Sequence, residues 1–510
     1  MTETLAIPIW IVVLAGLALI LAALRNLLVP MLRGYVRWRR RGLVDKINAR
    51  LPVQLPTLAL MRRSTVIDQL ANDEKVLEMA EGVAKARGEP RAAAVKRARG
   101  YARSIVPALS PFFYFRVYSL IARLFIRAIH WVHVGYVHED ADGLNDPKSC
   151  VVMIGNHRSN MDGILIPYVT MHRTMLSFGA GEWSRIWPFK QMMKATGAYF
   201  IQRDSGDPLY RRVLERYMHM AIGSCVPQGL FIEGALSRDG RLQPARLGML
   251  DYMIRTFDPH GEHDIVILPV ATNYDRIAED RNLIGDPDSE NMPKSARFVL
   301  GETFRFSFGM AFRRLLGHHH AFGCACANFG APVSLKAWLA SNDVDLRQLD
   351  KGERFKWVQK LADELMGEIS TIMPVVPTPL IAAVMSEAPE ETVSGPDIIN
   401  AALELAKSLS AAGAHVYLPG SDERTAIGEA LQQLIDRGMV LDRGLGSFQI
   451  APGEETLMAF YANSIEHLRP EISPRSEQPV AEPDTSAEGT KSKRARRPKS
   501  RRNVADVQPA

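Results

Sequence analysis

Residues 5–24 form a run of twenty without a single charge, long enough to cross a bilayer as a helix. The flank before it, Met1-Thr-Glu-Thr4, has no positive charge, and no small-residue cleavage site follows, which disfavours a secretory signal peptide. Residues 29–41 then mix bulky apolar side chains with arginine, a pattern suited to a membrane–water interface. Residues 64–103 are rich in Ala, Glu, Lys and Arg and predict helices. Residues 111–134 are apolar but carry Arg116, Arg123 and Arg127 on one helical face. That predicts an interfacial helix, or a helix covering a catalytic domain, rather than a second span.

From Cys150 to Leu335 short apolar runs alternate with helical stretches, the mark of an α/β fold: a sheet flanked by helices. The expected strands are 150–154, 229–233, 265–270 and 325–329, with a helix over 211–222. A helix over 351–373 is stopped by Pro374 and Pro377. Helices over 395–409 and 426–436, then a hairpin over 438–450, suggest a small helical, winged-helix-like C-terminal unit. Fold analogy alone does not make such a unit a nucleic-acid binder. From about Glu471 to Ala510 the chain has few apolar residues and predicts disorder. The expected organisation is an anchor (1–30), a juxtamembrane helical region (31–135), the α/β domain (136–345), a C-terminal helical region (346–470) and a basic tail (471–510).

Composition changes this picture in one respect. The 510 residues are 47% hydrophobic and 23% charged, with a net charge of +6, all ordinary for a globular chain. The distribution of charge is uneven. Residues 25–41 hold six arginines and no acid, and 491–502 hold eight Lys or Arg and no acid. The arginines on the C-terminal side of the apolar run predict a single-pass protein with the rest of the chain in the cytoplasm. Four cysteines make no disulfide framework; Cys150 and Cys225 lie in apolar runs and read as buried thiols. Cys324-Ala-Cys326 follows His318-His-His320, but no second cysteine pair completes a zinc site, so no metal is expected.

The chemistry begins at Asn156-His-Arg-Ser-Asn-Met-Asp162, the one His-x-x-x-x-Asp in the chain. At a strand-to-helix turn this spacing can pair His157 with Asp162. The carboxylate orients the ring, and the ring takes a proton from a hydroxyl. Alone, the spacing is close to a chance match. Three further blocks follow in order: Gly197-Ala-Tyr-Phe-Ile-Gln-Arg203, then Phe231-Ile-Glu-Gly-Ala-Leu-Ser-Arg-Asp-Gly-Arg241, then Ile267-Leu-Pro-Val270. Glu233 ends a strand and Gly234 enters a turn. Arg203 and Arg238 have the fork geometry that matches a phosphate dianion. No Gly-x-Ser-x-Gly elbow occurs, which argues against an acyl-serine intermediate and a serine hydrolase.

Together these blocks resemble the bacterial membrane-bound glycerol-3-phosphate acyltransferases. Trp187-Pro188, Leu209-Tyr210, Tyr217, Asn273-Tyr-Asp-Arg276 and Phe460-Tyr-Ala-Asn-Ser-Ile-Glu-His467 extend the resemblance from about residue 100 to 470. It implies His157 as base, Asp162 as its support, and Gly197, Arg203, Glu233, Gly234, Ser237 and Arg238 as substrate-binding residues. It also implies acyl-CoA or acyl-carrier protein as donor, glycerol 3-phosphate as acceptor, membrane lipids as surroundings, and no cofactor. Nucleic acid is not expected as a partner. Gln202 and Leu236 stand where arginines are common in that family, and the familiar bacterial protein of this branch is considerably longer. A neighbouring acceptor, lysophosphatidate, is therefore the alternative, and a catalytically inactive membrane tether is the alternative of another class.

Overall fold

The computed structural model describes residues 56–136, 148–180, 189–202, 205–284 and 322–469. No helix among them is long and apolar enough to cross a membrane. The apolar run 5–24, the arginine-rich stretch 29–41, His318–His320 and the tail 471–510 lie outside the described residues. The described residues all fall within one compact unit.

After a single helical turn, Thr57–Leu60, come three longer helices: α1 (Arg63–Ala71), α2 (Glu74–Arg87) and α3 (Arg91–Ile105). They pack together through side chains such as Val76, Ala94 and Ala98, which are fully buried. A π-helical turn, Phe113–Tyr118, runs into α4 (Ser119–Ile129). The central sheet then has the strand order β1-β7-β6-β2-β5-β3-β4, with β8 pairing β6. Its members are β1 (Trp131–Tyr136), β2 (Ser149–Gly155), β3 (Ser177–Ala180), β4 (Tyr199–Phe200), β5 (Gln228–Phe231), β6 (Asp264–Tyr274), β7 (Cys324–Phe329) and β8 (Val333–Ser334). All four expected strands are present. The expected boundary at residue 135 is not one, because β1 pairs in parallel along β7 through Tyr136.

β2 is central and covered on both faces, which explains its unbroken apolar run. Cys150, Val152 and Ile154 point into one cluster with Leu209, Val213 and Leu250, from helices α7 (Pro208–Gly223) and α8 (Leu247–Ile254). Val151 and Met153 point the other way, against Leu165 and Ile166 of α5 (Asp162–Thr170). The helix over 189–195 is α6 (Phe189–Ala195).

Helices α9 (Leu335–Ser341) and α10 (Lys351–Thr371) follow the sheet. Pro374 starts β9 (Pro374–Val375), and Pro377 occupies the first turn of α11 (Pro377–Met385), where its missing N–H costs nothing. The expected C-terminal unit is α12 (Gly395–Ala411), α13 (Glu423–Asp436) and the hairpin β12 (Val440–Gly444) and β13 (Ser447–Ile450). A short strand, β10 (Val393–Ser394), precedes α12 and pairs with β13, giving the winged order β10-β13-β12. β11 (His415–Val416) pairs with β9. The last helix is α14 (Glu455–Ala462), with a 3₁₀ turn at Glu466–Leu468. The unit shares one core with the sheet: Leu380, Ile398, Ile427 and Phe460 cluster with Val151 and Val270. It is not a separate domain.

Candidate active site

β2 and β5 are parallel neighbours, with Gly155 in register with Phe231. His157 and Glu233 each lie two residues beyond that pair, so both emerge at the carboxyl end of the sheet, where open α/β sheets place their ligands. The amide of His157 donates to Glu233 Oε1 across a long 3.4 Å, and the amide of Ser237 donates to the His157 carbonyl at 3.2 Å.

The turn after β2 is stitched to β6 by Asn156. Its Nδ2 donates to the Thr272 carbonyl at 3.0 Å, and its Oδ1 accepts from the Thr272 amide at 2.8 Å. The side chain thus continues the ladder after the β2 backbone has left it. Asp162 opens α5 fully buried. Its Oδ2 faces His157 Nδ1 at 3.0 Å and accepts the amides of Arg158 (2.8 Å) and Ser159 (2.9 Å). Its Oδ1 accepts from Tyr274 Oη at 2.6 Å and Thr272 Oγ1 at 3.0 Å. Thr272 and Tyr274 are two apart on β6 and so share a face. Five donors around one buried carboxylate fix its position and offset its desolvation. The imidazole lies flat on Phe231, with centroids 4.2 Å apart and planes within 6°. With Nδ1 on Asp162, Nε2 is the nitrogen without a partner among the described residues. Burial and the neighbouring Asp162 push the Tyr274 phenol well above its usual range, so it stays a donor.

Glu233 is buried, and its Oε2 has no hydrogen-bond partner among the described residues. Burial pushes its carboxyl up to about 8, against the opposing pull of the His157 amide and the Arg158 charge. Gly234 has φ +69°, and a Cβ there would come within 2.7 Å of Arg246 Cδ. Both facts require glycine. The Arg246 stem crosses this turn, its amide donates to the Ile232 carbonyl at 2.8 Å, and the side chain is exposed.

The remaining expected residues divide. Arg238 is exposed near the turn; Arg203 lies outside the described residues. Ser237 Oγ is consumed by its own loop: it accepts from the Gly240 amide at 3.0 Å and sits 2.8 Å from the Arg241 carbonyl. It shapes the loop and has no free hydroxyl for a ligand. Gly197 is at the wrong end of the sheet. Its carbonyl accepts from Ser177 Oγ, and Ser177 opens β3 in register with Gln228 and hence Val152. His157 is five residues further along, about 16 Å at roughly 3.3 Å per residue. Gly197 (φ +100°) serves the turn into β4, where a Cβ would strike Leu109.

Several contributors were not visible in the sequence. Arg158 is buried with its guanidinium 4.9 Å over the Phe460 ring; Nη1 donates to the Gly240 carbonyl, while Nε and Nη2 have no partner among the described residues. Burial lowers its pKa from the ordinary value. Asn463 Nδ2 donates to the Asp239 carbonyl at 2.7 Å, and Arg241 pairs with Glu466 at 2.6 Å. The end of the chain's core thus braces the loop that carries Glu233. Glu279, half-buried, accepts from Ser159 Oγ at 2.9 Å and from the Asn160 amide, and holds the turn between His157 and Asp162. The one signal that could have found Phe460 and Glu466 was their place in the resembling segment 460–467.

Among the described residues, no group of three or more His, Cys, Asp or Glu is placed to hold a metal. Cys324 and Cys326 are buried free thiols on β7, and burial drives both pKa values up.

Residues 138–273 match the acyltransferase family model, and residues 307–469 match that of the glycerol-3-phosphate acyltransferase C-terminal region. The glycerol-3-phosphate acyltransferase of Aeromonas hydrophila is 26% identical over 428 residues, covering 80% of this chain and 50% of that protein. That of Pseudomonas fluorescens (strain Pf0-1) is 25% identical over 333 residues, covering 62% and 38%. The chain therefore spans half or less of the length of these relatives. Among solved structures, the 1-acyl-sn-glycerophosphate acyltransferase of Thermotoga maritima aligns with 60% of this chain and 98% of its own, at 16% identity and a TM-score of 0.26.

Proposed function

Because the chain belongs to the glycerol-3-phosphate acyltransferase family, we propose that it moves a fatty acyl group from a thioester donor to the 1-hydroxyl of glycerol 3-phosphate, making lysophosphatidate. The observation that carries this reading is the His157–Asp162 pair at the carboxyl end of the sheet, level with Glu233. His157 Nε2 takes the proton of the acceptor hydroxyl as its oxygen attacks the thioester carbonyl. Asp162 holds Nδ1–H and stabilises the imidazolium. The C–O bond forms, the C–S bond breaks, and the proton passes from His157 to the departing thiolate. The two substrates balance the reaction, so it needs no cofactor.

Acyl-CoA and acyl-carrier protein are both suitable donors. Arg203, Arg238 and Arg246 are the cations assigned to the acceptor phosphate. A Glu233 held partly protonated near neutral pH can donate to a hydroxyl or phosphate oxygen as well as accept. The alternative acceptor is lysophosphatidate, favoured by Gln202 and Leu236, which leave the second and third blocks two arginines short and more room for a bulky group. An inert tether would have no use for five donors spent on Asp162. The apolar run 5–24 and its arginine flank support a place at the bacterial inner membrane with the catalytic region on the cytoplasmic side.

The test is CoA release by the purified protein with glycerol 3-phosphate, with lysophosphatidate and with neither, alongside rescue of bacteria deficient in each acyltransferase. CoA release independent of any acceptor identifies a hydrolase instead.

A further inference from the structure

The helix α4 is apolar on the side it shows to water. Its inner face, Ala122, Ile126 and Ile129, is buried. Its outer face and the turn before it expose Phe112, Leu120, Ile121 and Leu124, each with 47–55% of its surface open. Solvated helices show acids and lysines there. Here only Arg116, Arg123 and Arg127 interrupt the apolar residues, and the sequence holds no acid from Pro90 to His138. At about 100° per residue, Arg123 and Arg127 fall on one flank of Leu120, with Leu124 and Ile121 on the other. Apolar and cationic rows therefore run side by side along one helix.

The cationic row opens into a groove of about 620 Å³ between α4, the edge strand β1 and the end of α5. Arg123, Arg127 and His172 line it with Val132, Val134 and Met171, and no acid contributes among the described residues. Arg127 is steered there by a 3.0 Å bond to Tyr168 Oη. A groove with cations at one wall and aliphatic carbon at the other suits a phosphodiester attached to hydrocarbon.

We propose that the outer face of Phe112 to Arg127, with this groove, is a docking surface for an anionic phospholipid bilayer. The apolar row enters the head-group boundary, and Arg116, Arg123 and Arg127 pair with lipid phosphates. A second copy of the chain fits poorly, since a two-fold contact would set these arginines against themselves. The sheet edge that carries β1 would then face the lipid that the product joins. The surface is argued apart from the acyl-transfer chemistry, and it gives a second contact beyond residues 5–24.

Of the four cysteines Cys225, expected to be buried, is partly exposed and the other three are buried, so the experiment uses the full chain in a Cys225→Ser background, with an environment-sensitive dye on Leu124→Cys and, as control, on Glu404→Cys of α12. The vesicles are phosphatidylcholine with or without phosphatidylglycerol. Expected is a blue shift at position 124 that grows with phosphatidylglycerol, no shift at 404, and roughly a hundredfold weaker lipid response in Arg116→Glu/Arg123→Glu/Arg127→Glu, from three sites worth about fivefold each. Three results overturn the proposal: no shift at 124 although the chain sediments with the vesicles, a shift indifferent to lipid charge, or a position 124 closed to the dye before vesicles are added, which would mean that another segment or copy covers it. CoA release is followed in parallel. Its absence with the shift intact counts against the acyl-transfer reading alone.

Discussion

Tyr274→Phe isolates one hydrogen bond beneath the catalytic pair. The phenol is fully buried, its Oη lies 2.6 Å from Asp162 Oδ1, and its ring packs against His130 at a centroid distance of 5.7 Å. Phenylalanine keeps the ring and removes only the donor, so no cavity forms. A hydrogen bond to a charged group contributes about 1.5–3 kcal/mol, and with four other donors on the same carboxylate this one falls near the middle of that range. Asp162 retains Thr272 on the same oxygen and three partners on the other, so the carboxylate stays placed. We therefore expect a stability loss of about 2 kcal/mol and a kcat lowered by no more than about tenfold, because the four remaining donors still hold the carboxylate against the imidazole. Urea unfolding gives the first quantity, and CoA release at saturating substrate the second. Unchanged stability would show that the hydroxyl does not serve Asp162. A loss of kcat as deep as that of His157→Ala would show that the other four donors do not hold the pair together.

Three further outcomes follow from the same geometry. His157→Ala should lower kcat on the order of 10²–10⁴-fold while the chain stays folded; retention of a tenth of the activity would remove His157 as the base. Glu233 is raised to about 8 by burial, so its proton is bound more tightly folded than unfolded; it stabilises below about pH 4.5, and that stability drains away as pH rises to about 8. Glu233→Gln should flatten this slope, worth on the order of a few kcal/mol between pH 5 and 9, and parallel unfolding curves for the two proteins would refute it. Arg203→Ala, Arg238→Ala and Arg246→Ala should each raise the acceptor KM about tenfold or more and leave the donor KM alone, with lysine restoring only part; an acceptor KM unmoved in all three would place the phosphate elsewhere.

By itself the sequence determined the strand-forming runs and the spacing that lets a histidine and an aspartate meet. Residues 150–154 could be read because a strand buried on both faces needs apolar side chains without a break. His157 and Asp162 could be read because they share one turn, and Gly234 because a left-handed turn beneath a crossing side chain tolerates little else. Tertiary structure decided the rest, because hydrogen-bond partners far apart along the chain leave no local pattern. Thr272 and Tyr274 reach Asp162 from 110 and 112 residues away, and Glu279 reaches Ser159 from 120. Ser237 looked available in sequence, yet its hydroxyl is satisfied within its own loop. Gly197 looked like part of the site, yet strand register carries it to the amino end of the sheet. The C-terminal unit looked separable by its helix–helix–hairpin pattern, yet its apolar faces close over the sheet and its last helix braces the Glu233 loop. Side-chain chemistry was written locally; which end of the sheet each residue occupies, and which donors remain free, was fixed only when distant strands came into register.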